Sequence, residues 1–315
     1  MRTGTEPRPS RLQHQQLLVT LYGLYGQANQ GIFPVSVLVG MFGALGIDAP
    51  AVRSTVSRLK RNGVLVSSKE AGIAGYSLSA DVLDAFEEGD RRIYAPERSR
   101  PEDPWSLVIF SVPEAERNRR YELRTELTSL GFGAVGAGVA IAPNNVLSQA
   151  VHRLKDRGLD GYVEYFSADY LSEQDIASKV AQWWDLEELD GQYRDFLEIY
   201  GIAEREWAAR LDSCKGIIDP AGDLARDAFA YYVPMLTVWR RFPYRDPNLP
   251  LEFLPDGWKA PAAKAAFWAL DAQLAPVAKA YALALLDSRG VASGTSAIQD
   301  NASGQWPAEG SMASK

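Results

Sequence analysis

The chain has 315 residues, and its composition, 46% hydrophobic and 23% charged, is typical of a soluble protein with more than one folded domain. One cysteine excludes an internal disulfide framework, and we find neither a signal-peptide pattern nor a run of about 18 apolar residues. We therefore expect a cytoplasmic protein that does not bind a membrane.

The net charge of −7 is unevenly distributed along the chain. Residues 1–70 contain eight Lys or Arg against three Asp or Glu, a balance of +5, so the remainder carries −12. Binding to a polyanion requires a positive region, and only the N-terminal part has one. Its first ten residues are polar and contain proline, which predicts a disordered arm.

Three helices are predicted to follow this arm, from Arg11 to Gly26, from Pro34 to Leu45 and from Ala49 to Asn62. The third is marked at both ends, because Asp48 can accept hydrogen bonds as its N-cap and Gly63 can adopt the left-handed conformation that ends a helix. The short connection between the second and third helices predicts a helix-turn-helix unit.

The third helix has two different faces. Val52, Val56 and Leu59 recur at helical spacing and form its apolar side. The opposite face and its flanks carry cations and hydroxyls but no carboxylate: Arg53, Ser54, Ser57, Arg58, Lys60 and Arg61. Such side chains suit a helix in the major groove of DNA, where guanidinium groups contact guanine and phosphate. The alternative is a structural three-helix module with a solvated basic face.

Residues 64–78 predict two short strands, Val64 to Val66 and Tyr76 to Leu78, around a glycine-containing turn. A β-hairpin at this place would complete a winged helix-turn-helix DNA-binding domain over residues 11–94. The predicted DNA contacts are base edges for Arg53, Ser54, Ser57 and Arg58, and phosphates for Arg61 and Lys69.

A linker is predicted at residues 95–104, where prolines and alternating charges follow a short acidic helix from Ala80 to Glu88. The next domain, residues 105–170, begins with the apolar strand Trp105 to Val112. Its elements follow the order β-α-β-β-α-β, which predicts a ferredoxin-like sheet with helices on one face.

The glycines of this domain could be mistaken for a phosphate-binding loop. They are Gly131, Gly133, Gly136 and Gly138. Because they lie between predicted strands and no helix N-terminus follows them, we expect them to serve hairpin geometry.

Residues 171–289 are predicted to form an acidic helical domain. Its helices span Ser172 to Trp184, Leu186 to Tyr200, a stretch to about Leu211, Asp223 to Phe242 and Ala260 to Leu286. Residues 290–315 are rich in Ser, Gly and Ala and predict a disordered tail. The fold class expected for the whole chain is therefore multidomain α+β.

The sequence contains no evident catalytic or metal-binding constellation. The only histidines are His14 and His152, in different predicted domains, and with one cysteine they cannot form an ordinary metal site or Ser/Cys–His dyad. The carboxylates from Asp185 to Asp190 indicate a solvated helix flank, and Cys214 has no marked basic neighbour. We therefore predict neither enzymatic activity nor a cofactor.

Several motifs together resemble the PaaX-like regulators, the phenylacetic acid degradation repressors, over about residues 12–285. They are Val52-Arg-Ser-Thr-Val-Ser-Arg-Leu59, Arg92-Ile-Tyr94, Trp105-Ser-Leu-Val108, Leu130-Gly-Phe-Gly133, Gly138-Val139 with Pro143, and the run Trp239-Arg-Arg-Phe-Pro-Tyr-Arg-Asp-Pro-Asn-Leu-Pro-Leu-Glu-Phe-Leu-Pro-Asp-Gly-Trp258. The last run is the most specific, since it is too long and irregular to arise from helix periodicity.

The resemblance implies a dimeric transcriptional repressor in three parts: an N-terminal winged helix, a central ferredoxin-like domain similar to the Cas2 nucleases, and a helical C-terminal domain. It also implies release from DNA by an aryl-CoA thioester, typically phenylacetyl-CoA.

The predicted hairpin departs from the family pattern. Members usually carry Gly-Arg-Arg-Ser-x-Tyr there, whereas this chain has Ala71-Gly-Ile-Ala-Gly-Tyr76, without the two arginines. With Lys69 as the obvious remaining cation, we expect the hairpin to make fewer phosphate contacts, which lowers affinity more than specificity.

The effector is predicted to bind between the central sheet and the C-terminal helices. Side chains suited to an aryl ring and to nucleotide phosphates are close in sequence there: Trp183, Trp184, Tyr231, Tyr232, Trp239, Arg240, Arg241 and Arg245. The alternative is that the rings are core residues and the arginines pair with the surplus carboxylates.

These inferences predict a homodimeric, ligand-responsive repressor of an inverted-repeat DNA operator, with dimer contacts from the central and C-terminal domains. Three alternatives remain. A nucleic-acid-processing enzyme is suggested by the Cas2-like part, although the first central strand has no metal-binding aspartate. The others are a regulator that responds to a different small molecule, and a scaffold that uses the winged helix for protein contacts.

Overall fold

The computed structural model describes residues 13–26, 31–70, 72–80, 82–83, 98–171, 175–214, 216 and 218–288. The predicted N-terminal arm and C-terminal tail lie outside these residues, as do most of the predicted acidic helix from Ala80 to Glu88 and the first part of the linker.

The first unit contains three helices followed by a hairpin: α1 (His14–Tyr25), α2 (Val35–Ala44), α3 (Ala49–Arg61), β1 (Leu65–Glu70) and β2 (Ile73–Leu78). Each helix lies within its predicted bounds. Apolar residues at helical spacing bury their side chains in one core between the helices, as Leu17, Leu21 and Phe42 illustrate.

The hairpin strands are longer than predicted. Their antiparallel ladder runs from the pair Leu65 and Leu78 to the pair Glu70 and Ile73, so the connection between them is two residues long. Gly72 has a φ of 84°, which a tight two-residue turn favours. The polar segment Ser67–Glu70 was not predicted as a strand. It pairs with β2 because the short connection holds the two chain segments side by side.

The second unit has the predicted order of strands and helices: β3 (Trp105–Phe110), α4 (Arg117–Ser129), β4 (Gly133–Gly136), β5 (Val139–Pro143), α5 (Leu147–Asp156) and β6 (Val163–Ala168). The strands form one sheet in the order β4-β5-β3-β6, with every neighbouring pair antiparallel. Gly133, Gly136 and Gly138 lie in or beside the β4–β5 hairpin, as expected, whereas Gly131, with a φ of 91°, follows the end of α4.

Both helices of this unit cover the same face of the sheet. Leu123 and Leu127 of α4 and Leu154 of α5 pack with Val108 and Phe110 of β3 in a separate core. On the opposite face of the sheet, the side chain of Trp105 packs into the core of the third unit.

The third unit is helical: α6 (Ile176–Trp183), α7 (Leu186–Tyr200), α8 (Ala203–Asp212), α9 (Asp223–Trp239), α10 (Phe242–Arg245) and α11 (Ala260–Asp287). Helix α6 begins later than predicted, because Asp175 caps it by accepting hydrogen bonds from the amides of Ala177 and Ser178. Helix α9 ends at Trp239, before the predicted Phe242, and a separate short helix follows, since a proline at position 243 has no backbone N–H with which to continue the helical hydrogen bonding.

The first and third units share one continuous core, whereas the central sheet keeps its own. Tyr25 of α1 stacks on Phe229 of α9 with ring centroids 5.9 Å apart. Thr237 of α9 donates its hydroxyl to Thr20 of α1 at 2.9 Å, and both side chains are buried. The first unit is therefore packed onto the third by direct side-chain contacts.

Helix α11, with 28 residues, is long and apolar enough to cross a membrane by length and composition alone. The same test is met by core helices of soluble proteins. One face of α11 is buried against α9, α7 and α8, including Phe267, Leu270 and Leu274.

Candidate functional sites

Helix α3 is held so that its polar face points outward. Asp48 accepts a hydrogen bond from the amide of Ala51 at 2.8 Å and caps the first turn. Val52, Val56 and Leu59 are buried against the first unit, which fixes the rotation of the helix about its axis. Local capping and the apolar stripe are both visible in the sequence, and they determine this orientation.

All six residues that we predicted to contact DNA are exposed. They are Arg53, Ser54, Ser57, Arg58 and Arg61 on α3, and Lys69 on β1. The helix contains no carboxylate, and none of its arginines forms an ion pair with another residue that the structure describes. The outer face of α3 is thus a cationic surface with free guanidinium groups. Lys60 lies on its flank, with its ammonium group 5.6 Å from the ring centre of Tyr76.

A third extended segment joins the hairpin, which the sequence did not predict. Phe33 pairs with Tyr76 through two backbone hydrogen bonds of 2.9 and 3.0 Å. Gly75 makes this approach possible, because a Cβ atom there would lie 2.5 Å from the Phe33 carbonyl oxygen. The hydroxyl of Tyr22 donates to the Tyr76 carbonyl at 2.7 Å, and its burial raises the pKa of that hydroxyl.

An aromatic cluster lies between the central sheet and the third unit. Trp105 of β3 lies 6.0 Å from Trp183, 6.2 Å from Trp184 and 6.2 Å from Phe253, measured between ring centroids. The indole nitrogen of Trp184 also donates to the carbonyl of Gly131 at 2.9 Å. Two of the predicted effector residues, Trp183 and Trp184, therefore lie at the predicted boundary.

A cleft of about 510 Å³ opens beside this cluster. Trp184 and Trp258 contribute indole rings to its wall. Its charged residues are mainly carboxylates, with one guanidinium: Asp185, Glu187, Asp190, Asp256 and Arg194. The cleft thus combines aromatic surface with negative charge. The indole nitrogen of Trp258 is buried and has no hydrogen-bond acceptor among the described residues.

Two of the cleft carboxylates also have structural roles. Asp185 caps α7 by accepting the amide of Glu188 at 2.9 Å. Asp190 accepts the amide of Lys259 at 2.8 Å and lies 3.2 Å from the guanidinium of Arg194.

The other predicted effector residues do not line this cleft. Trp239 is 5% exposed and stacks on Phe267 at 4.4 Å, and Tyr232 donates its hydroxyl to Asp271 at 2.8 Å. Tyr231 packs edge-on against Tyr200 at 5.6 Å. These rings belong to the helical core, as the alternative interpretation of the sequence had it.

The arginines of this set are also apart from the cleft. Arg241 contacts Gln16 of α1, and Arg245 pairs with Glu188 at 3.3 Å. Arg240 is half-buried at the end of α9 and has interactions of its own. No common site unites all eight predicted effector residues, because the spacing along the chain does not determine the direction in which each side chain points.

The most specific motif of the sequence, residues 245–258, has a structural role that the sequence did not reveal. Asp246 is buried and accepts the Tyr193 hydroxyl at 2.8 Å, and burial raises the pKa of that phenol well above its ordinary value. The backbone carbonyl of Asn248 accepts a hydrogen bond from the amide of Ser99 at 3.0 Å, and the guanidinium of Arg98 donates one to the Leu249 carbonyl. The motif thus fixes part of the predicted linker, just before the central unit, to the helical unit.

The fold and the cationic helix together define a multidomain α+β protein with a basic surface at its N-terminal end. Family models match three consecutive parts of the chain: "PaaX-like protein" at residues 13–82, "PaaX protein central Cas2-like domain" at 98–180 and "PaaX-like protein C-terminal domain" at 184–284. The chain therefore belongs to the PaaX-like family.

Two individual proteins are similar over most of their length. The transcriptional repressor PaaX of Escherichia coli (strain K12) is 24% identical over 270 residues, which cover 84% of this chain and 81% of the relative. The solved structure of uncharacterized protein Rv0674 from Mycobacterium tuberculosis has 22% identity and a TM-score of 0.48, and the similarity covers 87% of this chain and 97% of that one.

Proposed function

We propose that this protein is a DNA-binding transcriptional repressor of an aromatic-acid catabolic pathway and not an enzyme. The observation that carries the proposal is the outer face of α3, with exposed guanidinium and hydroxyl groups, no carboxylate and a buried apolar opposite side. Membership of the PaaX-like family, and similarity to a relative named as a transcriptional repressor, support it. A cytoplasmic location follows from this role.

The first unit would act as a winged helix-turn-helix domain. In support, α2 and α3 are joined by a tight turn at Gly46, which has a φ of 76°, and the hairpin with Phe33 follows α3 directly. The central unit would be a ferredoxin-like domain, which its β-α-β-β-α-β order and antiparallel sheet support.

The repressor would act as a homodimer on an inverted repeat. One helix with about four base-reading side chains cannot single out a site among ~10⁶ or more competing sites, and two copies roughly double the discrimination. The operator half-sites would then be separated by about one helical turn or a multiple of it.

Gel-shift titration of purified protein with duplexes selected from a random pool tests the DNA-binding proposal. Arg53→Ala and Arg58→Ala should each reduce discrimination by about 1 to 3 kcal/mol, whereas Arg61→Ala and Lys69→Ala should mainly reduce the salt dependence. Arg205→Ala, an exposed charge on α8, serves as the matched control. Unchanged affinity of both Arg53→Ala and Arg58→Ala for the selected site would contradict the placement.

We propose that the effector, an aryl-CoA thioester in the first instance, binds near Trp183 and Trp184. The aromatic cluster with Trp105 supports stacking of an aryl group at the boundary of sheet and helices. To release DNA, the ligand must bind more tightly to a dimer geometry that does not match the groove spacing, since equal affinity for two states shifts nothing.

A different small molecule is a second candidate, favoured by the charge of the cleft. A CoA thioester carries several negative charges, which the carboxylates of Asp185, Glu187, Asp190 and Asp256 would repel. An uncharged or cationic aromatic ligand would not be repelled.

Calorimetry with phenylacetyl-CoA and with free phenylacetate separates these candidates. The proteins compared are the wild type, Trp184→Ala and Arg240→Ala/Arg241→Ala. Weaker thioester binding by Trp184→Ala places the aryl group at the cleft. If the double arginine variant binds as tightly as the wild type, those arginines are structural. Binding of neither compound by the wild type would favour a different effector.

A further inference from the structure

Helix α4 of the central unit carries a basic and aromatic stripe outside the region identified as positive by charge balance. Arg117, Tyr121 and Arg124 follow the spacing i, i+4, i+7 and therefore share one side of the helix. All three are exposed, and Tyr121 exposes 77% of its surface. We call these three residues the α4 stripe.

The nearby carboxylates do not neutralise the α4 stripe, because other side chains engage them. Glu126 lies against two arginines of α5, and the remaining glutamates of residues 114–122 have partners near α4. The pairs are Arg153–Glu126 at 3.6 Å, Arg157–Glu126 at 3.3 Å, Arg120–Glu114 at 3.4 Å, Arg119–Glu122 at 3.0 Å and the hydroxyl of Tyr162 with Glu116.

The two arginines of the stripe are left free by this arrangement. Neither Arg117 nor Arg124 forms a hydrogen bond or ion pair with a residue in the described part of the chain. Exposed guanidinium groups that have no protein partner suit phosphate oxygens, which they can bind bidentately. The phenol of Tyr121 between them is also a common phosphate donor in protein–DNA complexes.

The α4 stripe belongs to a helix layer beside the unit that carries α3. Helix α4 contacts the short helix α10, which follows α9, and Arg241 between α9 and α10 contacts Gln16 of α1. The central helices and the first unit therefore meet at the same end of α9. A duplex bound by α3 would extend beyond the first unit, since one domain covers only part of its length.

From this arrangement we propose that the α4 stripe binds the phosphate backbone of the same DNA duplex, outside the segment that α3 reads. The inference rests on the proposed DNA binding by α3. The contacts are sequence-independent, so they add affinity and salt dependence without adding base discrimination.

Fluorescence anisotropy with random-sequence duplexes of about 20 and about 40 base pairs, roughly two and four helical turns, tests this. Arg117→Ala/Arg124→Ala should bind the longer duplex several-fold more weakly, with a log Kd against log salt slope shallower by about 0.9 per lost contact. The shorter duplex should show a smaller change. Tyr121→Phe should weaken binding to the longer duplex without changing the slope.

Arg205→Ala/Lys279→Ala is the matched control, because it removes the same charge from exposed positions on α8 and α11. If the control and the α4 variant behave alike, the proposal is overturned. It is also overturned if the α4 variant alters the sedimentation coefficient of the free protein, since the stripe would then join copies of the chain.

Failure of the underlying DNA-binding proposal gives a different result. In that case the wild type binds neither duplex, or Arg61→Ala/Lys69→Ala, which removes the proposed phosphate contacts of the first unit, binds both as tightly as the wild type does. An unaltered slope in the α4 variant beside a clearly shallower slope in Arg61→Ala/Lys69→Ala would overturn only the contact of the α4 stripe.

Discussion

At the scale of single residues, the presentation of α3 depends on side chains outside its cationic face. Asp48 satisfies a free amide of the first turn, and Thr55 donates its hydroxyl to the Ala51 carbonyl at 2.9 Å. These local bonds and the buried Val52 leave the cations as the outermost groups. Residues that we do not expect to contact DNA therefore contribute to the shape of the proposed binding surface.

Replacement of Asp48 by alanine should cost about 1 kcal/mol of stability, because the first-turn amide loses its acceptor. The change should also weaken DNA binding by loosening the first turn of α3. Urea denaturation measures the first effect and gel-shift titration the second. Asp48→Asn keeps an acceptor and should stay close to the wild type; an equal loss in that variant would show that the charge matters and the cap does not.

Asp271 should make the protein less stable as pH rises. Burial raises its pKa, and the smaller opposing effect is the hydrogen bond from Tyr232. A carboxyl whose pKa is higher in the folded state binds more protons when folded, so stability falls from the ordinary pKa of 3.8 up to the raised value.

Asp271→Asn removes this titration while keeping a group that can accept from Tyr232. The free energy of unfolding of Asp271→Asn minus that of the wild type should rise with pH above about 4 and then level off. Urea denaturation at several pH values between about 4 and 7 measures it. A difference that falls as pH rises would contradict a raised pKa for Asp271.

At the scale of elements, the hairpin after α3 depends on a close backbone approach. Phe33 pairs with Tyr76 on the side of β2 away from β1, which gives the small sheet a third short segment. At position 75, next to the paired Tyr76, only glycine leaves room for the Phe33 carbonyl. The position of the hairpin relative to α1 and α3 is therefore linked to the segment before α2.

Gly75→Ala should destabilise the protein by more than about 1 kcal/mol, because its Cβ would overlap the Phe33 carbonyl. Thermal unfolding measures the loss. Gly72→Asn is the control, since Gly72 has open space around it and asparagine tolerates a positive φ. Equal losses in the two variants would mean that the turn, and not the Phe33 contact, determines hairpin stability.

Most helices, and the order of strands and helices along the central unit, were predictable because caps and apolar spacing are local signals. The full hairpin was not, since the polar segment Ser67–Glu70 pairs only as a result of the tight turn beside it. The outer face of α3 could be assigned from periodicity alone. The effector residues could not, because the placement of Trp184 at a cleft and of Trp239 in the core depends on contacts between distant parts of the chain.

At the scale of the whole molecule, the first and third units unfold as one cooperative body if their shared core is the main source of stability. Phe229 is fully buried and contacts Tyr25 of α1 as well as Tyr281 of α11. Truncation of the Phe229 side chain should therefore destabilise both units, although the central sheet separates them in sequence.

Phe229→Ala should cost about 3 to 5 kcal/mol and speed amide hydrogen exchange in α1 as well as in α9. Exchange measured by mass spectrometry on the full chain tests this. Leu154→Ala, a fully buried change in the separate core of the central unit, should leave α1 protected. Faster exchange confined to α9 in the Phe229 variant would show that the two units are energetically independent.

The contact between α1 and α9 also limits how such a regulator can diverge. If α3 reads DNA as we propose, a change of sequence preference requires substitutions on its outer face, whose side chains lie outside the core. The inner face of α1 has no such freedom, because Thr20 and Tyr25 must remain complementary to Thr237 and Phe229. Exchange of the first unit between relatives would bring together surfaces that never co-adapted, whereas exchange of the α3 outer face alone would not. New binding preferences should therefore be inherited by point substitution on one helix and seldom by recombination of whole domains.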